Sequence, residues 1–64
     1  MTTFLRLPEV LRRTGLNRSA CYELIAAGRF PKPIKIGSRA VAWVEHEVES
    51  WAKERMAERE LLAA

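Results

Sequence analysis

The residues best suited to chemistry fall in two short runs. In the first, Asn17-Arg18-Ser19 is followed by Tyr22-Glu23; in the second, Lys35 precedes a Gly37-Ser38 turn and Arg39. These side chains offer positive charge and hydrogen bonds rather than a nucleophile next to a base. Arg18 suits a phosphate or the edge of a guanine, and Glu23 either accepts from cytosine N4 or pairs with a nearby Arg. Ser19 and Tyr22 can donate to phosphate oxygens; for Tyr22 the competing reading is a ring half-buried against the following hairpin. Lys35 and Arg39 suit the sugar-phosphate backbone or a minor groove, although an exposed strand Lys also guards a sheet edge against pairing. The chemistry on offer is recognition of nucleic acid.

Composition narrows the alternatives. The chain has 64 residues, 48% hydrophobic and 30% charged, with one Cys and one His. That is one small globular domain, which buries only about 60% of the surface its unfolded chain exposes and leaves little room for a deep substrate cavity. One Cys forms no internal disulfide, and one Cys with one His does not fill a tetrahedral zinc site. Cys21 falls on an apolar stripe and reads as a core residue, His46 as a solvated one. Paired carboxylates in a cleft, a metal set and a phosphate-cradling glycine loop are all missing, so no enzyme, catalytic residue, metal or cofactor is expected. The apolar runs are far shorter than the roughly 20 residues of a membrane span, and Arg6 interrupts any signal-peptide core. A cytoplasmic binding module is expected.

The charge is unevenly placed. Residues 1–44 hold eight Lys and Arg against Glu9 and Glu23, a net +6, while residues 45–64 hold three against six, a net −3; the whole is +3. A basic body with an acidic helical tail suits a nucleic-acid binder. Arg12, Arg13 and Arg29 either add long-range attraction or form a plain solvated face.

Local signals place these residues on elements. Residues 1–5 carry no pattern and are expected to fray. Leu7, Val10, Leu11 and Thr14 have helical spacing, with Pro8 suited to a first turn and Gly15 to a stop. Asn17 is a good N-cap, Cys21, Leu24 and Ile25 make the stripe of a second helix, and Gly28 closes it. Two short helices joined by Gly15-Leu16-Asn17 make a helix-turn-helix over about residues 7–27. Arg18 sits in the first turn of the second helix, where the dipole disfavours a cation, so its role lies outside the helix. That end of such a helix enters a major groove. Pro31 and Pro33 forbid helix, and a β-hairpin follows over about residues 33–43, a basic wing with Lys35 and Arg39 near its tip. A third helix is expected over about residues 45–62, with Glu45, Glu47 and Glu49 complementing its dipole and Trp43 and Trp51 supplying core.

The run Leu7-Pro8-Glu9-Val10, then Thr14-Gly15-Leu16-Asn17-Arg18-Ser19 and Tyr22, then Gly28-Arg29-Phe30-Pro31-Lys32-Pro33, resembles the AlpA family of prophage regulatory proteins. Ile36-Gly37-Ser38-Arg39-Ala40-Val41-Ala42-Trp43 extends the resemblance, which covers roughly residues 5–55. That family is similar in turn to small phage excisionases and to the DNA-binding domain of the MerR class. The resemblance implies a mainly α winged helix-turn-helix, in the order α-α-β-β-α. It also implies double-stranded DNA as partner, with further copies of the chain, an integrase or RNA polymerase as protein partners. By position, the recognition helix is residues 18–27, with Asn17, Arg18, Ser19, Tyr22 and Glu23 at its reading end, and the wing residues are Lys35, Ser38 and Arg39. Glu23 and Ala42 depart from the pattern, since many relatives carry a basic residue at both, so the target sequence does not carry over. Three roles stay open: a transcriptional regulator, an architectural excisionase that bends attachment-site DNA, and a protein-interaction module acting through the Leu61-Leu62 end.

Overall fold

A computed structural model describes the backbone of residues 1–63 and the side chains of residues 1–61. The elements run β1 (Phe4–Leu5), α1 (Leu7–Thr14), α2 (Arg18–Ala26), β2 (Ile34–Gly37), β3 (Ala40–Val44) and α3 (Glu45–Ala63). The chain is a winged helix-turn-helix: three helices and a small antiparallel sheet in the order β1-β3-β2.

Capping explains both short helices. Pro8 lies in the first turn of α1, and Gly15 ends it at φ 76°, donating its N–H to the Leu11 carbonyl. Thr14 closes the same turn, its hydroxyl donating to the Val10 carbonyl at 2.8 Å and accepting from the Leu16 N–H at 3.3 Å. The Asn17 side chain then accepts the Ala20 N–H at 2.8 Å, as an N-cap should. At the far end of α2, Gly28 adopts φ 74°. Its N–H donates to Ile25 and that of Arg29 to Leu24, the paired bonds of a Schellman motif.

The expectation that residues 1–5 fray is wrong. Phe4 pairs with Val44 and Leu5 with Trp43, and the Glu45 N–H donates to the Thr3 carbonyl at 2.8 Å. Leu5 is only 5% exposed and joins Val10, Cys21, Phe30, Trp43 and Val48 in the core. A two-residue strand is too short to show a period of two, and its partner lies some 40 positions away, so nothing local announces it.

The hairpin also differs from the simplest expectation. Its register pairs Ile34 with Ala42, Lys35 with Val41 and Gly37 with Ala40, so Ile36 is the extra residue of a bulge. Ser38 and Arg39 form the turn without positive φ, hence not the primed type of a regular two-residue loop. Along β2 every residue is exposed, Ile34 and Ile36 included: the alternation of Ile with Lys does not bury one face, because the strand stands as a flap at the sheet edge. α3 packs through Val48 and Trp51, while residues 53–61 are exposed all round. The side chain of Leu62 lies outside the described residues; Leu61 is exposed.

Leu5→Ala should destabilise the domain by about 2–5 kcal/mol, the usual cost of emptying a buried Leu site. Asn17→Ala should cost about 1 kcal/mol. Urea midpoints measure both, and a Leu5→Ala midpoint equal to the wild type's would mean that β1 contributes nothing.

Candidate nucleic-acid interface

The cations divide by what they do. Glu9 on α1 holds two of them. It accepts from Arg12 Nε and Nη2, and from Arg13 Nε at 2.8 Å. Arg13 also reaches Glu45 at 2.9 Å, tying α1 to the first turn of α3. Arg55 pairs with Glu58 at 3.2 Å and lies 5.5 Å from the Trp51 ring centroid. By contrast, Arg18, Arg29, Lys32, Lys35 and Arg39 make no ion pair among the described residues. Each of these lies on α2, on the loop that leaves it, or on the hairpin; Arg6 ahead of α1 and Lys53 and Arg59 on α3 are likewise unpaired there. Arg12 and Arg13, expected either to add long-range attraction or to form a plain solvated face, are instead paired across exposed surface.

Arg18 stands at the start of α2, whose first turn holds no acidic residue. Its guanidinium carbon lies 5.5 Å from the centroid of the Tyr22 ring. Tyr22 in turn makes a T-shaped contact with Trp43 of β3, with centroids 6.4 Å apart and planes at 71°. Tyr22 thus rests against the wing strand while staying exposed, and its hydroxyl has no partner among the described residues. Ser19 and Glu23 are exposed, and Glu23 pairs with no Arg there. Asn17 spends its side-chain oxygen on the cap. Lys35, Ser38 and Arg39 are all exposed, Ser38 and Arg39 at the hairpin turn and Lys35 opposite Val41. The fold thus brings Arg18 and Tyr22 together, groups the wing residues at the hairpin, and joins the two sets through Trp43.

Sequence reasoning missed what sets the wing relative to α2. The indole Nε1 of Trp43 donates to the Pro31 carbonyl at 3.0 Å, and that of Trp51 donates to the Arg29 carbonyl at 2.8 Å. Phe30, between them in sequence, packs edge-on to Trp51 with centroids 4.8 Å apart. The linking loop is thereby fastened at two carbonyls. Its signal was two tryptophans in a short chain with a proline-interrupted loop, but neither partner is identifiable without the fold.

Elsewhere the chemistry is sparse. Burial pushes the Cys21 thiol up, which suits a packing role rather than a reactive one. An open groove runs between the loop and α3, with Arg29 and Lys32 on one wall and Glu47 and Glu54 on the other. Among the described residues no three His, Cys, Asp or Glu side chains cluster as a metal site would need. No described helix is long and apolar enough to cross a membrane.

Residues 3–56 match the family described as prophage CP4-57 regulatory protein (AlpA). Over 56 residues the chain is 48% identical to the uncharacterized protein ORF88 of Enterobacteria phage P4, a match covering 88% of this chain and 64% of that protein. The chain therefore spans less than two thirds of that relative's length. It is also 33% identical over 57 residues to the DNA-binding transcriptional activator AlpA of Escherichia coli K12, covering 80% of this chain and 81% of that one.

The two arginines hold the Glu9 carboxyl below its usual range, chiefly through the hydrogen bond from Arg12 and then that from Arg13. A carboxylate held down in the folded state stabilises that state at pH above its unfolded value, and the benefit fades as pH falls through the lower folded value. Wild type should therefore lose stability on acidification below about pH 4.5, and Glu9→Gln should lose less. Parallel urea titrations between neutral pH and pH 3 measure the difference, which is small for a surface group.

Proposed function

The chain belongs to the AlpA family of prophage regulatory proteins, and from that premise we propose that it is a sequence-specific regulator of transcription that binds double-stranded DNA. In this role α2 enters the major groove. Arg18 and Glu23 meet base edges there, Ser19 a phosphate, and Asn17 sets the helix start. Lys35, Ser38 and Arg39 hold the flanking backbone or minor groove.

The observation that supports this best is the sorting of cations. Those of α1 are neutralised by Glu9 and Glu45, whereas those of α2, its loop and the hairpin are left unspent. Phosphates at fixed spacing are the ligand for which a protein keeps several unpaired Arg and Lys on a helix start and an adjoining hairpin. One recognition helix covers only a few base pairs, so tight specific binding calls for more than one copy on the DNA.

One feature favours a second reading, a protein-interaction module: α3 leaves residues 53–61 unpacked, with Met56 and Leu61 exposed.

Selection from a random duplex pool, followed by titration of the selected and scrambled duplexes at several salt concentrations, separates the two. A preference of about 10³-fold or more is expected for the selected sequence. Arg18→Ala should cost about 1–3 kcal/mol on that sequence and relax the preference. Arg39→Ala should weaken both duplexes alike and lower the slope of log K against log salt by about 1. Equal binding to both duplexes by the wild type would put the interaction module first.

A further inference from the structure

We propose that Tyr22 is a positioning residue, which holds the Arg18 guanidinium ready for a base edge and links that guanidinium to the wing through Trp43. The proposal rests on the DNA-binding reading above and assigns Tyr22 a part in it other than touching a phosphate.

Three contacts in series carry it. Arg18 lies over the Tyr22 ring at 5.5 Å. The Tyr22 ring meets Trp43 in a T-shaped contact at a 6.4 Å centroid separation. Trp43 is fully buried and anchored by its N–H to the Pro31 carbonyl at 3.0 Å. Each step restrains the one before it. The indole has no freedom to move, so the phenol ring is held on one side; the held ring then offers a fixed electron-rich face to the cation.

The contact is suited to preparing Arg18 rather than consuming it. Among the described residues Arg18 makes no side-chain hydrogen bond and no ion pair. Its N–H donors are therefore unspent, as bidentate contact with guanine O6 and N7 requires. A free Arg loses much rotamer freedom when it docks, and an Arg already resting on a ring has lost part of it beforehand. The i,i+4 spacing of Arg18 and Tyr22 on α2 makes the contact geometrically natural. It is the Tyr22–Trp43 contact that makes it more than a helix-surface pair, because the wing strand then biases where Arg18 points.

The hydroxyl separates this role from a direct one. If Tyr22 acts by position, Tyr22→Phe keeps everything that matters; if it acts by donating to phosphate, Tyr22→Phe loses it.

The test uses the full chain, with wild type, Tyr22→Phe, Tyr22→Leu, Arg18→Ala and the Tyr22→Leu/Arg18→Ala double variant, titrated on selected and scrambled duplexes. Tyr22→Phe should bind within about 2-fold of wild type. Tyr22→Leu should lose about 2- to 5-fold on the selected duplex, the size of an exposed cation–ring contact, and less on the scrambled one. In the Arg18→Ala background Tyr22→Leu should add nothing further. In the DNA-free protein, the Arg18 side-chain proton resonances should show a ring-current shift that Tyr22→Phe retains and Tyr22→Leu abolishes.

A Tyr22→Phe loss equal to that of Tyr22→Leu overturns the proposal, as does full additivity with Arg18→Ala. So does an unshifted Arg18 in the wild type, a result that stands even if Tyr22→Leu fails to fold. A wild type without sequence preference overturns the DNA reading and this proposal together, and is told apart because it needs no variant.

Discussion

Trp43 sits on the central strand of a three-stranded sheet, fully buried, with β1 on one side and β2 on the other. Its indole N–H has to find an acceptor inside the fold, because a buried donor left without one costs about 1–3 kcal/mol. The acceptor is the Pro31 carbonyl, and meeting that requirement brings the loop after α2 down onto the sheet. The Trp43 backbone pairs with Leu5 of β1, and its ring makes a T-shaped contact with Tyr22 of α2. In a chain of 64 residues the core has few large side chains to spend, so one residue ties β1, the loop after α2 and α2 to the central strand.

The loop it holds is well chosen for the purpose. Proline at positions 31 and 33 removes two backbone donors and restricts the residues before them. The segment therefore has carbonyls to offer, and two tryptophans, from β3 and from α3, each donate to one of them. A segment tied at two carbonyls and stiffened by two prolines keeps the hairpin at a set distance from α2. The bulge at Ile36 and the unburied faces of β2 leave the outer part of the hairpin free of the core, so its residues are shaped by what they meet outside the protein.

Electrostatics follows the same division between framework and surface. Arg13 bridges Glu9 and Glu45 and so joins α1 to α3, while the acidic first turn of α3 favours its own helix dipole. Such exposed pairs contribute little stability and are weakened by salt. Their larger effect is on the charge left over. With Arg12 and Arg13 matched, the cations left unmatched among the described residues are five on α2, its loop and the wing, together with Arg6 ahead of α1 and Lys53 and Arg59 on α3. The family match and the likeness to a DNA-binding activator agree with this distribution.

The two helices of the helix-turn-helix were legible because their signals are local. Gly15, Asn17 and Gly28 each act on backbone groups within five residues, so residue type and spacing decide the outcome. The hairpin was legible for a similar reason, through its glycine and its neighbouring prolines, and the candidate site residues were legible as types. What residue type does not contain is the identity of a distant partner. The pairing of Leu5 with Trp43, the bond from Trp43 to Pro31 and the bridge from Arg13 to Glu45 join positions between 12 and 38 residues apart. So too the rest of Tyr22 on Trp43, 21 positions away. By itself the sequence determined where helices begin and end and which side chains could read a nucleic acid. Tertiary structure alone decided which cations are spent on the fold and which remain, because that depends on which carboxylates, carbonyls and rings the packed core brings within reach.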